Sequence, residues 1–128
     1  MKMLKASGVE LAIITARESR SVKLRAEDLN ITLLYQGEKN KLKIFEYLVT
    51  KLKLDMSSCA YVGDDLIDLP VMTRCGLSIC VPSSPTLVKK HAHYVTNSEG
   101  GQGAVREVCE MIMHSQGTLD AQLEKYLI

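Results

Sequence analysis

Three carboxylates fall close together in the run Tyr61-Val62-Gly63-Asp64-Asp65-Leu66-Ile67-Asp68-Leu69-Pro70, directly behind a short apolar stretch. Residues 59–62 read as a buried strand, Gly63 as a sharp turn at its carboxyl end, and residues 66–75 carry helical spacing. The carboxylates therefore collect at the mouth of a strand-to-helix turn. In open α/β sheets ligands bind in the crevice beyond the strand carboxyl ends, and clustered oxygens there suit a hard cation such as Mg²⁺. A plainer reading makes Asp64 or Asp65 the cap of the following helix. A third carboxylate at Asp68 favours the metal or phosphate reading. Two other strand ends carry polar groups: Thr15 closes the apolar run 9–15, with Arg17 two residues on, and Lys41 opens a helix-spaced run. The helix dipole opposes a cation in a first turn, so Lys41 is either a tolerated surface lysine or a cation aimed at an anion in the crevice. A hydroxyl, a cation and a carboxylate cluster at one sheet edge make a phosphoryl site. The first two hold phosphate oxygens and the last holds Mg²⁺.

The elements that must position these groups follow from hydrophobic spacing. Residues 1–7 read as the end of a helix that stops at Gly8, and residues 9–15 as a nearly continuous apolar strand of the kind covered on both faces. Val22, Ala26 and Leu29 line one face of a crossover helix over 19–29, followed by a strand at 31–35 and a polar turn at 36–41. Leu42, Phe45, Val49 and Leu52 mark a helix to about residue 54. Beyond the carboxylates come a strand at 77–81, a short helix at 85–91 and an edge strand at 94–96. This alternation predicts a Rossmann-like parallel sheet with right-handed crossovers and helices on both faces. Gly100-Gly101-Gln102-Gly103 precedes a terminal helix carrying Ala104, Val108, Met111 and Ile112 and ending near Gly117. The loop lacks the Lys-Ser/Thr ending of a P-loop and fits no dinucleotide fingerprint, so it reads as a turn with Arg106 in the first helical turn behind it. Residues 118–128 are polar with an apolar end, Tyr126-Leu127-Ile128, expected to fray or to dock on a neighbouring subunit.

Composition narrows the class. With 128 residues, 46% apolar and 24% charged, the chain reads as one soluble domain, and a formal charge of +1 gives no overall field for nucleic acid or an anionic membrane. No apolar run approaches the roughly 20 residues of a membrane helix, and no secretory signal opens the chain, so the expected location is cytoplasmic. Cys59, Cys75, Cys80 and Cys109 have no metal-site spacing and read as reduced core thiols. His91 and His93, beside Lys89 and Lys90, read as an exposed basic helix end.

The chain order of Thr15, Lys41 and Asp64-Asp65 resembles the later three motifs of the haloacid dehalogenase superfamily of phosphatases. The resemblance is carried by Gly8-Val9-Glu10-Leu11-Ala12-Ile13-Ile14-Thr15, by Tyr35-Gln36-Gly37 with Lys41, by residues 61–72, and by Gly100-Gly101-Gln102-Gly103-Ala104-Val105-Arg106-Glu107. Within the superfamily the match is to the cap-less branch that hydrolyses 3-deoxy-D-manno-octulosonate 8-phosphate to the free sugar acid and phosphate in lipopolysaccharide biosynthesis. It implies a Mg²⁺-dependent phosphatase with a small sugar phosphate as partner, assembled as a homotetramer. The phosphatase domain would span 1–117 and a tail 118–128. Carried over by position, Thr15 and Lys41 bind the transferring phosphoryl group, and Asp64 is a direct or water-linked Mg²⁺ ligand. Asp65 and Asp68 support that shell, orienting Lys41 or a ligand water. Arg17 stands where the superfamily has Thr-Gly-Arg, with Ala16 in the middle, and is a candidate for the substrate carboxylate. Arg106 is a second candidate. The C-terminal domain of some acylneuraminate cytidylyltransferases shares the glycine-loop and strand patterns, which makes a non-catalytic assembly module the alternative. A response-regulator receiver places its acidic pair first in the chain, and the order here is against it.

The superfamily's first motif, an Asp-x-Asp closing the first strand, does not occur in this sequence. Its first Asp is the nucleophile and its second the general acid/base. The resemblance therefore implies an N-terminally incomplete domain that lacks its central first strand and is inactive alone. Without that strand, the segments ending at Thr15 and Val62 would face each other across about 10 Å with unpaired backbone groups. Four outcomes are open: direct pairing, an open slot, a strand from another molecule, or a partly molten chain.

Overall fold

The computed structural model describes residues 1–100 and 102–127; Gly101 of the glycine loop and Ile128 of the apolar end lie outside the described residues. Helix α1 (Lys2–Ala6) ends at Ser7, and Gly8 takes φ +104°, the left-handed backbone that its lack of a side chain permits. Strand β1 (Ala12–Ile14) leads to α2 (Arg20–Asp28), whose N-terminus is capped by Ser19, its side chain accepting from Val22 N–H. Strand β2 (Leu33–Tyr35) then pairs parallel with β1, Ile13 opposite Leu34. Asn40 caps α3 (Lys41–Lys51) by accepting from Lys43 N–H. A 3-10 turn (Met56–Ser58) precedes β3 (Ala60–Val62), and a second one (Leu66–Asp68) precedes α4 (Leu69–Met72). The chain continues through β4 (Leu77–Cys80), α5 (Thr86–His91), β5 (Tyr94–Val95), α6 (Ala104–Gln116) and α7 (Leu119–Glu124).

Every strand pair is parallel, with strand orders β1-β2 and β3-β4-β5. Helices cover both faces. Ile14 and Tyr61 pack with Phe45, Val49, Val71 and Cys75 on the side of α3 and α4, while Val9 and Leu11 pack with Leu4, Cys109 and Met113 on the side of α1 and α6. The fold is the Rossmann-like α/β arrangement that the alternation predicts.

The sheet is divided where β1 and β3 would meet. Among the described residues β1 pairs only with β2, and β3 only with β4, so these two strands do not close directly on each other. Thr15 donates its N–H to Tyr35 C=O at 2.9 Å and Gly63 donates to Ile79 C=O at 3.0 Å. Successive residues of a strand point their backbone groups to opposite edges, so the Ile14 and Val62 amides point away from β2 and β4. Ala12 and Ala60 are exposed, and Val62 is 43% exposed, unlike the covered residues of β4.

Three sequence expectations change in detail. The apolar run 9–15 forms only a three-residue strand, because hydropathy reports burial whereas a ladder needs a partner, and β2 offers only Leu33–Tyr35. The helix expected over 66–75 is broken into a 3-10 turn and a four-residue α-helix, since Asp68 turns inward and Pro70 lies in the first turn of α4. Part of 118–128 is helical: α7 lies on α6, with Leu119 against the Leu4, Cys109 and Met113 cluster and Gln122 buried.

Candidate active site

Asp68 is the centre of the carboxylate stretch, and it points into the protein. It is 1% exposed, and four donors surround its two oxygens. Oδ1 accepts from Lys41 Nζ at 2.7 Å and from Tyr61 OH at 2.6 Å, while Oδ2 accepts from the N–H groups of Asp64 at 3.0 Å and Asp65 at 3.1 Å. Burial works against the charged carboxylate, but the hydrogen bonds from Lys41 and Tyr61 outweigh it and hold the Asp68 carboxyl below its usual value. Burial, followed by the bond to Asp68, pushes the Tyr61 phenol far above its ordinary pKa, so Tyr61 remains a neutral donor.

Gly63 makes this geometry possible. A Cβ there would lie 2.5 Å from Asp68 Cβ, so the glycine serves close approach of the Asp68 side chain. The Asp65 side chain accepts from Leu66 N–H at 2.7 Å and forms a capping box with Asp68. The plainer capping reading therefore describes what Asp65 does in the fold. Asp64 contributes its backbone N–H to Asp68 and leaves its exposed carboxylate at the strand mouth.

Lys41 comes from the first turn of α3, and its side chain is 11% exposed. The buried Asp68 carboxylate compensates the unfavourable helix dipole there. Thr15 and Arg17 lie in the loop after β1. Thr15 C=O accepts from Glu38 N–H at 3.4 Å, its Oγ1 accepts from Arg17 N–H at 3.2 Å, and Gln36 Oε1 accepts from Ser19 N–H at 2.6 Å. The loops after β1 and β2 are thus tied together ahead of Lys41. Among the described residues no hydrogen bond links Thr15 or Arg17 to the Lys41–Asp68 pair, and the Arg17 side chain is exposed. Arg106 lies along α6 and pairs with Glu110 at 3.0 Å.

Two residues carry more than the sequence assigned them. Tyr61 was legible only as a strand residue, although it is the polar tip of an apolar run two positions before Gly63. Glu107 organises the loop after β5: it accepts from Asn97 N–H at 3.0 and 2.9 Å, from Ser98 N–H at 3.0 Å and from Tyr94 OH at 2.8 Å. The Asn97 amide, ahead of the other donors, keeps the Glu107 carboxyl below its usual value. Its signal was an acid in the first turn of a helix. Glu99 adds a tie to the loop after β4, accepting from Ser83 N–H at 3.1 Å.

Among the described residues no three His, Cys, Asp or Glu side chains gather into a metal cage. The donor set still fits a small hard cation, which takes one or two carboxylates and fills its shell with water and phosphate oxygens. Asp64 is such a carboxylate, whereas Asp68 is fully engaged by its donors.

Comparison with known proteins gives the family. The model for haloacid dehalogenase-like hydrolases matches residues 33–108. The chain is 50% identical over 114 residues to the 3-deoxy-D-manno-octulosonate 8-phosphate phosphatase KdsC of Escherichia coli K12, covering 89% of this chain and 61% of that protein. It therefore spans less than two thirds of the length of that relative. The crystal structure of 3-deoxy-D-manno-octulosonate 8-phosphate phosphatase from Moraxella catarrhalis, in complex with magnesium ion, phosphate ion and a KDO molecule, superposes with a TM-score of 0.95 at 42% identity, over 98% of this chain and 72% of that one. A probable yrbi family phosphatase from Pseudomonas syringae gives 0.96 at 46% identity, over 99% and 72%. The chain belongs to the haloacid dehalogenase-like hydrolases.

Proposed function

We propose that this chain is the phosphate- and metal-holding portion of a 3-deoxy-D-manno-octulosonate 8-phosphate phosphatase. The observation that carries the reading is the Lys41–Asp68 pair at the mouth of β3, whose carboxylate also holds the backbone N–H of Asp64, a residue exposed at the same turn. Lys41 and Thr15 hold the oxygens of the transferring phosphoryl group, and Asp64 holds Mg²⁺. Bound there, Mg²⁺ neutralises charge on the phosphoryl oxygens. Asp68 positions the ammonium and the Asp64-Asp65 backbone, and Asp65 keeps the following turn in place. Arg17 takes the carboxylate of the sugar acid, with Arg106 as a second contact when it leaves Glu110.

The nucleophile and the general acid/base come from an Asp-x-Asp strand seated between β1 and β3, at the edges that have no strand partner among the described residues. The 128 residues contain no Asp-x-Asp, so the chain alone does not turn over. The complete enzyme assembles as a homotetramer in the cytoplasm, with 1–117 as its phosphatase domain and 118–128 as an appended tail. The non-catalytic assembly reading is favoured by the missing Asp-x-Asp alone.

The test is hydrolysis of 3-deoxy-D-manno-octulosonate 8-phosphate with Mg²⁺, by this chain and by one extended with the strand segment of the Escherichia coli relative. The extended chain is expected to hydrolyse it and the 128-residue chain to be slower by about 10³-fold or more. In the extended chain, added Mg²⁺ should rescue Asp64→Asn but not Lys41→Ala. Turnover by the short chain that Asp64→Asn abolishes would overturn the proposal. An extended chain that assembles without hydrolysing would support the non-catalytic module.

A further inference from the structure

We infer that Tyr61 is a positioning residue that locks Asp68, so that Lys41 can turn toward a phosphate without releasing the loop that carries Asp64. The consequence for phosphate rests on the function proposed above; the lock itself does not.

The geometry divides the Asp68 carboxylate into two jobs. Oδ2 holds the backbone N–H groups of Asp64 and Asp65, and Oδ1 holds Lys41 Nζ and Tyr61 OH. Lys41 is a long flexible side chain with three donors, and an anion in the crevice competes for them. If Lys41 were the only partner of Oδ1, its movement would leave a buried carboxylate oxygen unpaired and free the carboxylate to swing. Tyr61 prevents this. Its ring is fixed edge-on to Phe45 with centroids 6.5 Å apart, and packs against both the α3/α4 and the α4/α5 clusters. Its hydroxyl has one proton and a short path to Oδ1, so the carboxylate plane stays fixed whatever Lys41 does. Through Oδ2 the same plane sets the backbone of Asp64 and Asp65.

Tyr61→Phe keeps the ring and removes the donor. Amide hydrogen exchange of the 128-residue chain reads the result directly, with Thr96 N–H, bonded to Cys80 C=O at 2.9 Å, as a reference remote from Asp68. The Asp64 and Asp65 amides are expected to exchange about tenfold faster in Tyr61→Phe, with Thr96 unchanged. Unchanged Asp64 and Asp65 amides would overturn the inference. If Phe at this position loosens the whole chain, site-specific 3-fluorotyrosine at position 61 decides: a stronger donor of nearly the same shape should slow the two amides, and no slowing overturns the lock. The readout needs no substrate, so a failed phosphatase assay and a failed exchange test are separate results.

Discussion

At the scale of single residues, Asp68 couples every group at the mouth of β3. Removing its carboxylate leaves the Lys41 ammonium, 11% exposed, without a counter-charge and orphans two backbone N–H groups. Breaking a buried pair from one side costs about 3–5 kcal/mol. Urea unfolding of Asp68→Ala at pH 7 should show a loss of that size, and a loss below about 1 kcal/mol would contradict the assignment. The pH dependence follows from the lowered Asp68 pKa. A carboxyl depressed in the folded state stabilises above its unfolded value of about 3.9, and that contribution fades as pH falls through the lower folded value. The urea midpoint of the wild type is therefore expected to drop below pH about 4 more steeply than that of Asp68→Asn, which has no proton to gain. That carboxylates follow a strand and that a lysine opens a helix was legible in the sequence, because hydrophobic periodicity places both. Their division of labour was not. Three aspartates look equivalent in a string of letters, yet the backbone turns Asp68 inward, ties Asp65 to Leu66 N–H and leaves Asp64 outward.

At the scale of elements, two glycines govern how the parts meet. Gly63 admits the Asp68 side chain, and Gly76 admits the turn before β3: a Cβ on Gly76 would lie 2.0 Å from Ser57 C=O. That carbonyl is backbone, and Gly76 N–H is itself bonded to Met56 C=O and Cys59 C=O at 3.0 Å each. Neither side can yield cheaply. Gly76→Ala is expected to cost about 1–3 kcal/mol or more, whereas Gly100→Ala, with nothing within 4 Å, should be close to neutral. Equal urea midpoints for the two variants would refute this. The order of strands and helices was legible from periodicity, since burial of one face imposes it. Two features were not: the breaking of the expected helix after Asp65, which depends on a capping box with a buried partner, and α7, whose polar sequence conceals Leu119 and Gln122 as its inward residues.

At the scale of the whole molecule, the division between β1 and β3 makes a direct prediction for hydrogen exchange. Ile14 and Val62 amides point to edges that have no strand partner among the described residues and should exchange fast, while Thr15 and Gly63, bonded to Tyr35 and Ile79, should be protected. Supplying the proposed strand should slow the first pair. Equal protection of all four in the monomer would mean that the edges are already paired. The strand pairing also falls into two contiguous segments of the chain. Strand pairing in β1–α2–β2 involves residues 12–35, that in β3–β5 involves residues 60–95, and among the described residues no ladder crosses from one to the other. Each segment closes its own short crossover, which keeps the entropy of loop closure low. They are joined on one face by α3 and α4, where Ile14 packs with Phe45, Val49, Val71 and Cys75 and Lys41 pairs with Asp68, and on the other by α6, where Val9 and Leu11 pack with Cys109 and Met113. Under the proposed function, the cation assigned to the phosphate therefore also fastens α3 to the β3–β5 segment, so that peeling α3 away would be resisted at the atoms to which the chemistry is assigned.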